Sequence, residues 1–260
     1  MKQWKSTAFA AMLVMSSPFG GAWAQAYEEA GSSEVEPNTQ SAASSDDPWE
    51  GFNRAMFGFN NVLDKALVKP LAQGYVWITP DPIETGVNNV FSNLGEVGNV
   101  LNDILQWKWK QAANDTGRFL VNSTIGVVGF FDVAKKMGME RSDGEDFGQT
   151  LAAWGVGQGP YMVLPLFGPS TLRDAAGFPV DWSTSPVNHI DDRSTSNTLN
   201  VVGLVNARAS LLEAEKLMSG DRYVFMRDAF LQRRNYLIDD GVVEDDFGSD
   251  DDEYGDEYDF

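Results

Sequence analysis

The sequence of 260 residues contains no cysteine and a single histidine, His189. The absence of cysteine excludes disulfides, a thiol nucleophile and any cysteine-ligated metal site. Asp191 and Asp192 lie close to His189 in sequence, but a structural metal site usually needs three or four ligands, so we predict no metal. Nucleotide-binding glycine motifs, zinc-protease motifs and the serine-hydrolase elbow are also missing. We therefore predict no cofactor and no enzyme, with a pair of carboxylates acting as acid and base left as the open alternative.

Positive charge is scarce, since 19 Lys and Arg residues face 38 Asp and Glu residues and the formal net charge is −19. Binding to a phosphate backbone needs a surface rich in Lys and Arg, so this balance argues against nucleic acid as a partner. Residues 239–260 hold twelve of the acidic side chains and no basic one. Such a segment cannot bury enough apolar surface to fold, and we predict an acidic disordered tail over 239–260.

No apolar run reaches the roughly 20 residues that a membrane-spanning helix requires. The first residues instead show the three parts of a secretory signal: Lys2 and Lys5, the apolar stretch 8–15, and Ala22-Trp23-Ala24 as a cleavage site. We predict a signal peptide over 1–24 that is removed after export, with a retained amphipathic anchor as the alternative. The polar residues 25–46 follow as a disordered linker. Without cysteine, we expect the exported chain not to be a lipoprotein.

A glycine-rich segment stands at the centre of the chain. Gly155, Gly157 and Gly159 occupy every second position and lead into Pro160 and Tyr161. Glycine is free of the side-chain restriction on φ and proline fixes φ, so the segment cannot be ordinary helix and suits a tight hairpin or a hinge. We expect Gly157→Val to stiffen it.

The rest of the chain has helical periodicity. Asp47 is the predicted N-cap of a first helix with Pro48 at its first position, and Pro70 and Gly74 are expected to interrupt the segment that follows. The apolar stripe of the first helix is rich in aromatic rings and includes Trp49, Phe52, Met56 and Phe59. A stripe of this kind either packs on a protein core or lies in a membrane interface.

Three further expectations concern the later helices. A helix starting at Pro82 should bury its apolar side, and its asparagines should lie on a solvated surface; that apolar side is Val87, Val90, Phe91, Leu94, Val97, Leu101 and Leu105. Residues 179–198 read as a loop, with Asn197 capping the next helix. The last helix, from about Asp221, should point Tyr223, Met226, Phe230 and Leu237 inward and Arg222, Arg227, Arg233 and Arg234 largely outward. Without a repeat or an alternating strand pattern, the class is mainly α.

Residues 119–134 form a mostly apolar run that is too short to span a bilayer. Its apolar centre consists of Ile125, Val127, Val128, Phe130 and Phe131. Such an apolar run is unfavourable on a surface that is exposed to water. It is either buried core or a contact with lipid or a membrane partner.

Several runs of residues, in the same order along the chain, resemble the MlaA/VacJ family. The first is Asp47-Pro-Trp-Glu-Gly-Phe-Asn-Arg-Ala-Met-Phe-Gly-Phe-Asn60, and the others fall at 92–94, 118–126, 129–134, 147–151, 155–161, 164–168, 170–174, 208–212 and 227–233. The resemblance covers roughly 46–238, which we take as one helical domain over 47–238. It implies a ring-like helical domain in the outer membrane, with an amphipathic central channel and a glycine-rich hairpin beside it.

The resemblance also implies a function. Family members remove mislocalised phospholipids from the outer leaflet, associate with trimeric porins and pass lipid to a soluble periplasmic carrier. The hairpin or gate maps onto Gly155, Gly157, Gly159 and Tyr161. Family members typically carry an acylated cysteine, which this sequence lacks. A structural porin-associated protein without lipid transfer is the first alternative, and an exported hydrolase using His189 is the second.

Overall fold

The computed structural model describes residues 47–241. The predicted signal peptide, the linker and residues 242–260 of the predicted tail lie outside this range. The described chain is helical apart from one short β-hairpin, as the sequence indicates. No helix between Asp47 and Gly241 is long and apolar enough to cross a membrane.

The first helical rod has three parts: α1 (Glu50–Leu63), a π-helical segment (Asp64–Val68) and α2 (Lys69–Ile78). The predicted break at Pro70 and Gly74 is wrong. Pro70 lies in the first turn of α2, where its missing N–H costs little. The predicted cap at Asp47 is also wrong, because α1 begins at Glu50 and the Asp47 carboxylate instead accepts a hydrogen bond from Asn53 Nδ2 at 2.7 Å.

The middle of the chain contains α3 (Asp81–Leu105), α4 (Trp109–Thr124), α5 (Val133–Lys136) and α6 (Phe147–Ala153). The predicted start of α3 near Pro82 is confirmed. Asp132 caps α5 and Asp146 caps α6, each through its side chain. Helices α3 and α4 pack along each other and form the most extensive helix pair of the described chain.

The hairpin pairs β1 (Tyr161–Leu164) with β2 (Gly168–Thr171) in antiparallel register, with Tyr161 opposite Thr171. After it come α7 (Leu172–Thr184), a 3-10 turn (Pro186–His189), α8 (Arg193–Ser210), a 3-10 turn (Ala214–Leu217) and α9 (Arg222–Ile238). The predicted loop over 179–198 is therefore wrong, since Pro179 lies inside α7. The cap of α8 is Asp192, which accepts from the amides of Ser194 and Thr195, and not Asn197.

The buried apolar cluster under the hairpin is small. Tyr161, Val163 and Tyr223 are almost fully buried there, and partly buried side chains of α1 and α9 pack against them: Met56, Phe57, Val224, Phe230 and Leu231. Tyr223 contacts Phe57 edge to face at 5.7 Å between ring centroids. The hairpin, α1 and α9 thus share one conventional core.

Elsewhere the usual distribution of polar and apolar side chains is reversed. The buried side of α3 consists of Gly86, Asn93, Glu96, Asn102 and Asp103. The predicted apolar burial of α3 is therefore wrong, and Leu101 and Leu105 are exposed. On α9, Arg233 and Arg234 are buried, against the prediction that they point outward, whereas the inward prediction for Tyr223 and Leu237 is confirmed.

Large apolar side chains lie on the outside of the described chain. The most exposed are Trp77 at 86% and Trp107 at 75%, and Trp109, Leu120 and Trp154 are also more than half exposed. Soluble monomers rarely expose contiguous apolar surface on this scale, and such surface normally marks contact with lipid or protein. The fold thus turns polar groups inward and rings outward.

Candidate functional site

Two asparagines of α1 clamp the hairpin to that helix. Asn53 Nδ2 donates to the carbonyl of Tyr161 at 3.2 Å, and its Oδ1 accepts from the amide of Val163 at 2.9 Å. Asn60 repeats the pattern, donating to the carbonyl of Leu164 at 2.9 Å and accepting from the amide of Leu166 at 2.7 Å. Because the two residues are two helical turns apart, they lie on one face of α1. Together they satisfy backbone groups on the free edge of β1 that a lone hairpin would expose.

The glycine segment precedes the hairpin and is bound mainly by backbone hydrogen bonds. The amide of Leu172 donates to the carbonyl of Pro160 at 3.1 Å, and the amide of Arg173 donates to the carbonyl of Gln158 at 3.2 Å. These two bonds extend the pairing between β1 and β2 outward by a few residues. The glycine segment is therefore held by backbone pairing, whereas β1 is also held by side chains of α1.

The three glycines differ in what they demand. Gly155 has φ +87° and Gly159 has φ +69°, which side chains rarely adopt, whereas Gly157 has no positive φ and open space around its Cβ position. All three are exposed. The conformational requirement for glycine thus lies at 155 and 159, so Gly157→Val is a weaker test of hinge stiffness than the sequence indicates.

Tyr161, predicted with these glycines, is in a different environment. It is only 1% exposed and packs in the core beside Tyr223 and Phe230. Burial raises the pKa of its hydroxyl, and this hydroxyl has no hydrogen-bond partner within 47–241. Tyr161 is therefore a buried core residue that anchors the hairpin, whereas the three glycines are exposed.

The aromatic stripe of α1 divides. Trp49, Phe52 and Phe59 are between 43% and 53% exposed, whereas Met56 packs against the apolar cluster. The fully buried residue of α1 is Asn53. Core packing thus accounts for Met56, while the three rings face outward.

Residues 125–131 form an exposed apolar loop between α4 and α5. Ile125, Val127, Val128 and Phe131 are between 55% and 66% exposed, and only Phe130 turns inward, with its ring over Gly86. Burial in the core, one of the two alternatives, is therefore wrong for this loop apart from Phe130. Val127 and Val128 have φ of +56° and +59°. That conformation is costly for β-branched residues and is found where the surroundings enforce it.

The interior between α3 and α4 is charged. The fully buried Arg118 donates to Glu96 at 3.1 Å, to Asp132 at 3.1 Å and to the carbonyl of Met139. Asp103 is also fully buried, and neither of its carboxylate oxygens has a hydrogen-bond partner in the described part of the chain. Desolvation, together with the nearby Asp115 and Glu145, raises the pKa of Asp103 to about 8.

A second buried charge network links α9 to α6 and α7. Arg234 holds Asp146 with both terminal nitrogens and also donates to Asp174 Oδ1 at 2.6 Å. Arg173 Nε lies 3.5 Å from the same Asp174 oxygen. Asp181, at the other side of Asp146, has its pKa raised to about 7 by burial and by the Asp146 charge. This network is connected to the glycine segment, because the backbone amide of Arg173 donates to the carbonyl of Gln158.

The sequence did not single out Asn53, Asn60 or Arg118 as site residues. The seven-residue spacing of the two asparagines on α1 is a signal that could have found the first pair. Nothing local marks Arg118, whose acidic partners are distant in sequence. His189 is exposed, with Nδ1 3.0 Å from the carbonyl of Ser185. Between Asp47 and Gly241 no group of three or more His, Cys, Asp or Glu side chains could hold a metal ion.

The fold and these sites together define a class: a helical protein with a charged and amide-rich interior, an apolar exterior and one clamped hairpin. Comparison with known proteins then identifies the family. The profile of the family described as MlaA lipoprotein matches residues 45–237. The chain belongs to the MlaA family.

Individual relatives agree with that assignment. The chain is 36% identical over 209 residues to the intermembrane phospholipid transport system lipoprotein MlaA of Escherichia coli (strain K12), covering 76% of this chain and 80% of that protein. It is 31% identical over 219 residues to the protein of the same name from Haemophilus influenzae, covering 79% and 84%. An uncharacterised protein of Rickettsia prowazekii is 37% identical over 196 residues, covering 74% and 78%.

A solved structure supports the fold. A chain from "Structural basis for maintenance of bacterial outer membrane lipid asymmetry" matches with a TM-score of 0.65 and 35% identity, covering 74% of this chain and 98% of that one. The helical class with a short hairpin is thereby confirmed. The family and its named relatives are called lipoproteins, which conflicts with our expectation that this chain is not one, although its 260 residues include no cysteine to carry an acyl group.

Proposed function

We propose that this protein is a phospholipid-transport component of the outer membrane that maintains lipid asymmetry. In this function it takes mislocalised phospholipid from the outer leaflet and passes it towards the periplasm. The proposed function requires no catalytic step. The observation that carries the proposal is the reversed distribution of side chains in a chain homologous to named phospholipid-transport proteins.

The charged interior supports the proposal on physical grounds. A phospholipid moving through protein needs polar groups for its headgroup and apolar surface for its tails. The interior holds Arg118, Glu96, Asp103 and Asn102, whose burial costs free energy that apolar side chains would not. We propose that helices α3 to α9 enclose an amphipathic channel and that these buried groups hold the helices around it.

The exposed apolar side chains support binding of the protein to the membrane. Exposed Trp77, Trp107 and Trp109 suit the membrane interface, where indole rings are favoured. The loop tip at Val127 and Val128 offers a further apolar contact for lipid or for a trimeric porin. We propose that these surfaces, together with Trp49, Phe52 and Phe59, hold the protein in the outer membrane without a lipidated cysteine.

The hairpin supports a gating role for the glycine segment. Strand β1 is clamped by Asn53 and Asn60, and Tyr161 anchors it from below, so the strand itself is held. Gly155, Gly157 and Gly159 are exposed, and the Cβ positions of Gly155 and Gly157 meet open space, whereas that of Gly159 meets Leu172. We propose that these glycines move as lipid passes to a soluble periplasmic carrier, while the clamped strand supplies the fixed frame.

The decisive experiment is mass spectrometry of lipid that co-purifies with the protein extracted in mild detergent. We expect stoichiometric phospholipid and, in cells lacking the protein, phospholipid in the outer leaflet. The proposal would be overturned if the purified protein carried no phospholipid and cells lacking the protein had an unchanged surface. That result together with intact porin association would favour the alternative, a structural protein that braces porins and carries no lipid.

A further inference from the structure

Arg173 is a buried cation whose hydrogen-bonding capacity is largely unused. Its side chain is 4% exposed, and neither Nε nor Nη2 has a hydrogen-bond partner in the range 47–241. Nη1 makes one long contact, 3.4 Å to the carbonyl of Val156. A buried guanidinium with idle donors is costly, because each lost hydrogen bond to water goes unreplaced.

The acceptor next to it is also unused. Asp174 is 1% exposed, and its Oδ1 takes the hydrogen bond from Arg234 while Oδ2 has no partner among the described residues. An idle donor group and an idle acceptor therefore lie within a few ångströms, since Arg173 Nε is 3.5 Å from Asp174 Oδ1. Arg173 and Asp174 form an ion pair, but at 3.5 Å the contact from Nε to Oδ1 is too long for a good hydrogen bond.

The charge balance of this network restricts what could complete it. Arg173 and Arg234 are balanced by Asp146 and Asp174, so these four side chains carry no net charge. A bare anion would bring an uncompensated negative charge into a buried site and would place it near a further acidic group, Asp181. A zwitterion would supply an anionic acceptor for Arg173 and a cationic donor for Asp174 without adding net charge.

Access to these groups passes through the glycine segment. Arg173 touches Val156 with its side chain and Gln158 with its backbone amide. Gly155, Val156 and Gly157 are exposed, and no atom lies within 4 Å of the Cβ positions of the two glycines. A small shift of this segment would uncover the guanidinium, and the weak contact to Val156 is the one that an incoming acceptor would replace.

We propose that Arg173 and Asp174 form a binding site for a zwitterionic phospholipid headgroup, with the phosphate on Arg173 and the ammonium on Asp174 Oδ2. The inference rests on the proposed function and assigns it a headgroup class and a place. Arginine suits this role because its planar fork can donate two parallel hydrogen bonds to phosphate. Binding would also release Val156 and so couple the headgroup to the glycine segment.

The test compares lipid retention by four forms of the full chain: wild type, Arg173→Lys, Arg173→Met and the surface control Arg193→Met. Each is incubated in mixed micelles with equal amounts of phosphatidylethanolamine and phosphatidylglycerol and repurified, and bound lipid is quantified by mass spectrometry. We expect wild type and Arg193→Met to retain several-fold more phosphatidylethanolamine than phosphatidylglycerol. Arg173→Met should retain about tenfold less phospholipid, and Arg173→Lys an intermediate amount, because it keeps the charge but loses the fork.

Thermal unfolding of the same proteins separates binding from folding. Arg173→Met leaves Arg234 alone against Asp146 and Asp174, so we expect its Tm to fall. Arg173→Lys keeps the charge and should keep a Tm close to that of wild type while it retains less lipid, because it loses the fork. In a purely structural role, lipid retention would follow the Tm in both variants. Retention by Arg173→Met equal to wild type, with the same headgroup ratio, would overturn the site.

Two further arms identify the ligand. Displacement of the lipid by millimolar inorganic phosphate would assign the site to free phosphate and overturn the headgroup assignment. Equal retention of both lipids by wild type would overturn the role of Asp174. Wild type that retains neither lipid would contradict the proposed function itself, whereas wild type that retains lipid independently of Arg173 would contradict only this inference.

Discussion

The hairpin region and the α3–α4 region of the molecule are stabilised in opposite ways. Under the hairpin, Tyr161, Val163 and Tyr223 form an apolar core of ordinary character. Between α3 and α4 the buried side chains are Asn93, Glu96, Asp103, Asp115 and Arg118. The comparison indicates that apolar packing holds the hairpin region, whereas the buried contacts between α3 and α4 are mainly polar and charged.

The largest expected effect comes from breaking the charged interior. Arg118→Met would leave Glu96 and Asp132 without their shared cation, and breaking a buried ion pair on one side costs about 3–5 kcal/mol. We expect a matching loss of unfolding free energy in denaturant titration. The exposed Arg193→Met is the control and should change stability by less than about 0.5 kcal/mol. Equal stability of both variants would mean that the α3–α4 interior does not depend on its ion pairs.

The hairpin clamp should come second. Asn53→Ala leaves the Tyr161 carbonyl and the Val163 amide unpaired in a buried place, which costs about 2–3 kcal/mol. Asn60→Ala, at a less buried position, should cost about 1 kcal/mol. Hydrogen exchange at the Val163 amide is the specific readout and should accelerate in Asn53→Ala but not in Asn61→Ala. Unchanged protection of that amide in Asn53→Ala would show that Asn53 does not hold β1.

The third prediction concerns pH. Burial and neighbouring acids raise the pKa of Asp103 to about 8, from an ordinary 3.8. The raised value means that its contribution to stability is fully present below about pH 4 and is lost as the pH rises towards about 8. Asp103→Asn should abolish this dependence and stabilise the protein by about 2 kcal/mol at pH 9, below the full linkage value because the amide is also buried without partners.

Thermal unfolding between pH 5 and pH 9 measures this effect. The stability of wild type should fall more steeply with rising pH than that of the variant, so the difference between variant and wild type should shift in favour of the variant towards alkaline pH. Asp192→Asn is a surface control at an exposed cap, and its difference from wild type should not grow towards alkaline pH. A wild-type protein equally stable from pH 5 to pH 9 would contradict the buried, unpaired state of Asp103.

The smallest expected effect distinguishes the glycines of the hinge. Gly155→Ala forces a side chain into positive φ and should cost about 1 kcal/mol. Gly157→Ala meets open space without positive φ and should be neutral or slightly stabilising, because it restricts the unfolded chain. If gating needs mobility at 157, Gly157→Ala will nevertheless slow lipid transport at unchanged stability. Identical transport and stability in both variants would place the hinge elsewhere.

Parts of the structure followed from sequence patterns. The period of α3 and its start near Pro82 were readable, and so was the irregular backbone at 155–161, because glycine and proline act locally. The runs shared with the MlaA family identified the fold class. The prediction of a loop over 179–198 was wrong because α7 continues through Pro179, where it packs closely against α6 at Gly177 and Gly148, and local preference does not foresee such packing.

What the sequence determined by itself was that most of the chain is helical, where glycine permits unusual φ, and which family the chain belongs to. Only the tertiary structure decided which side of each helix lies inside. Periodicity separates an apolar face from a polar one, but it does not say which face meets the surroundings when those surroundings are themselves apolar. For the same reason Asn53 and Arg118 became visible only once distant segments had brought their partners together.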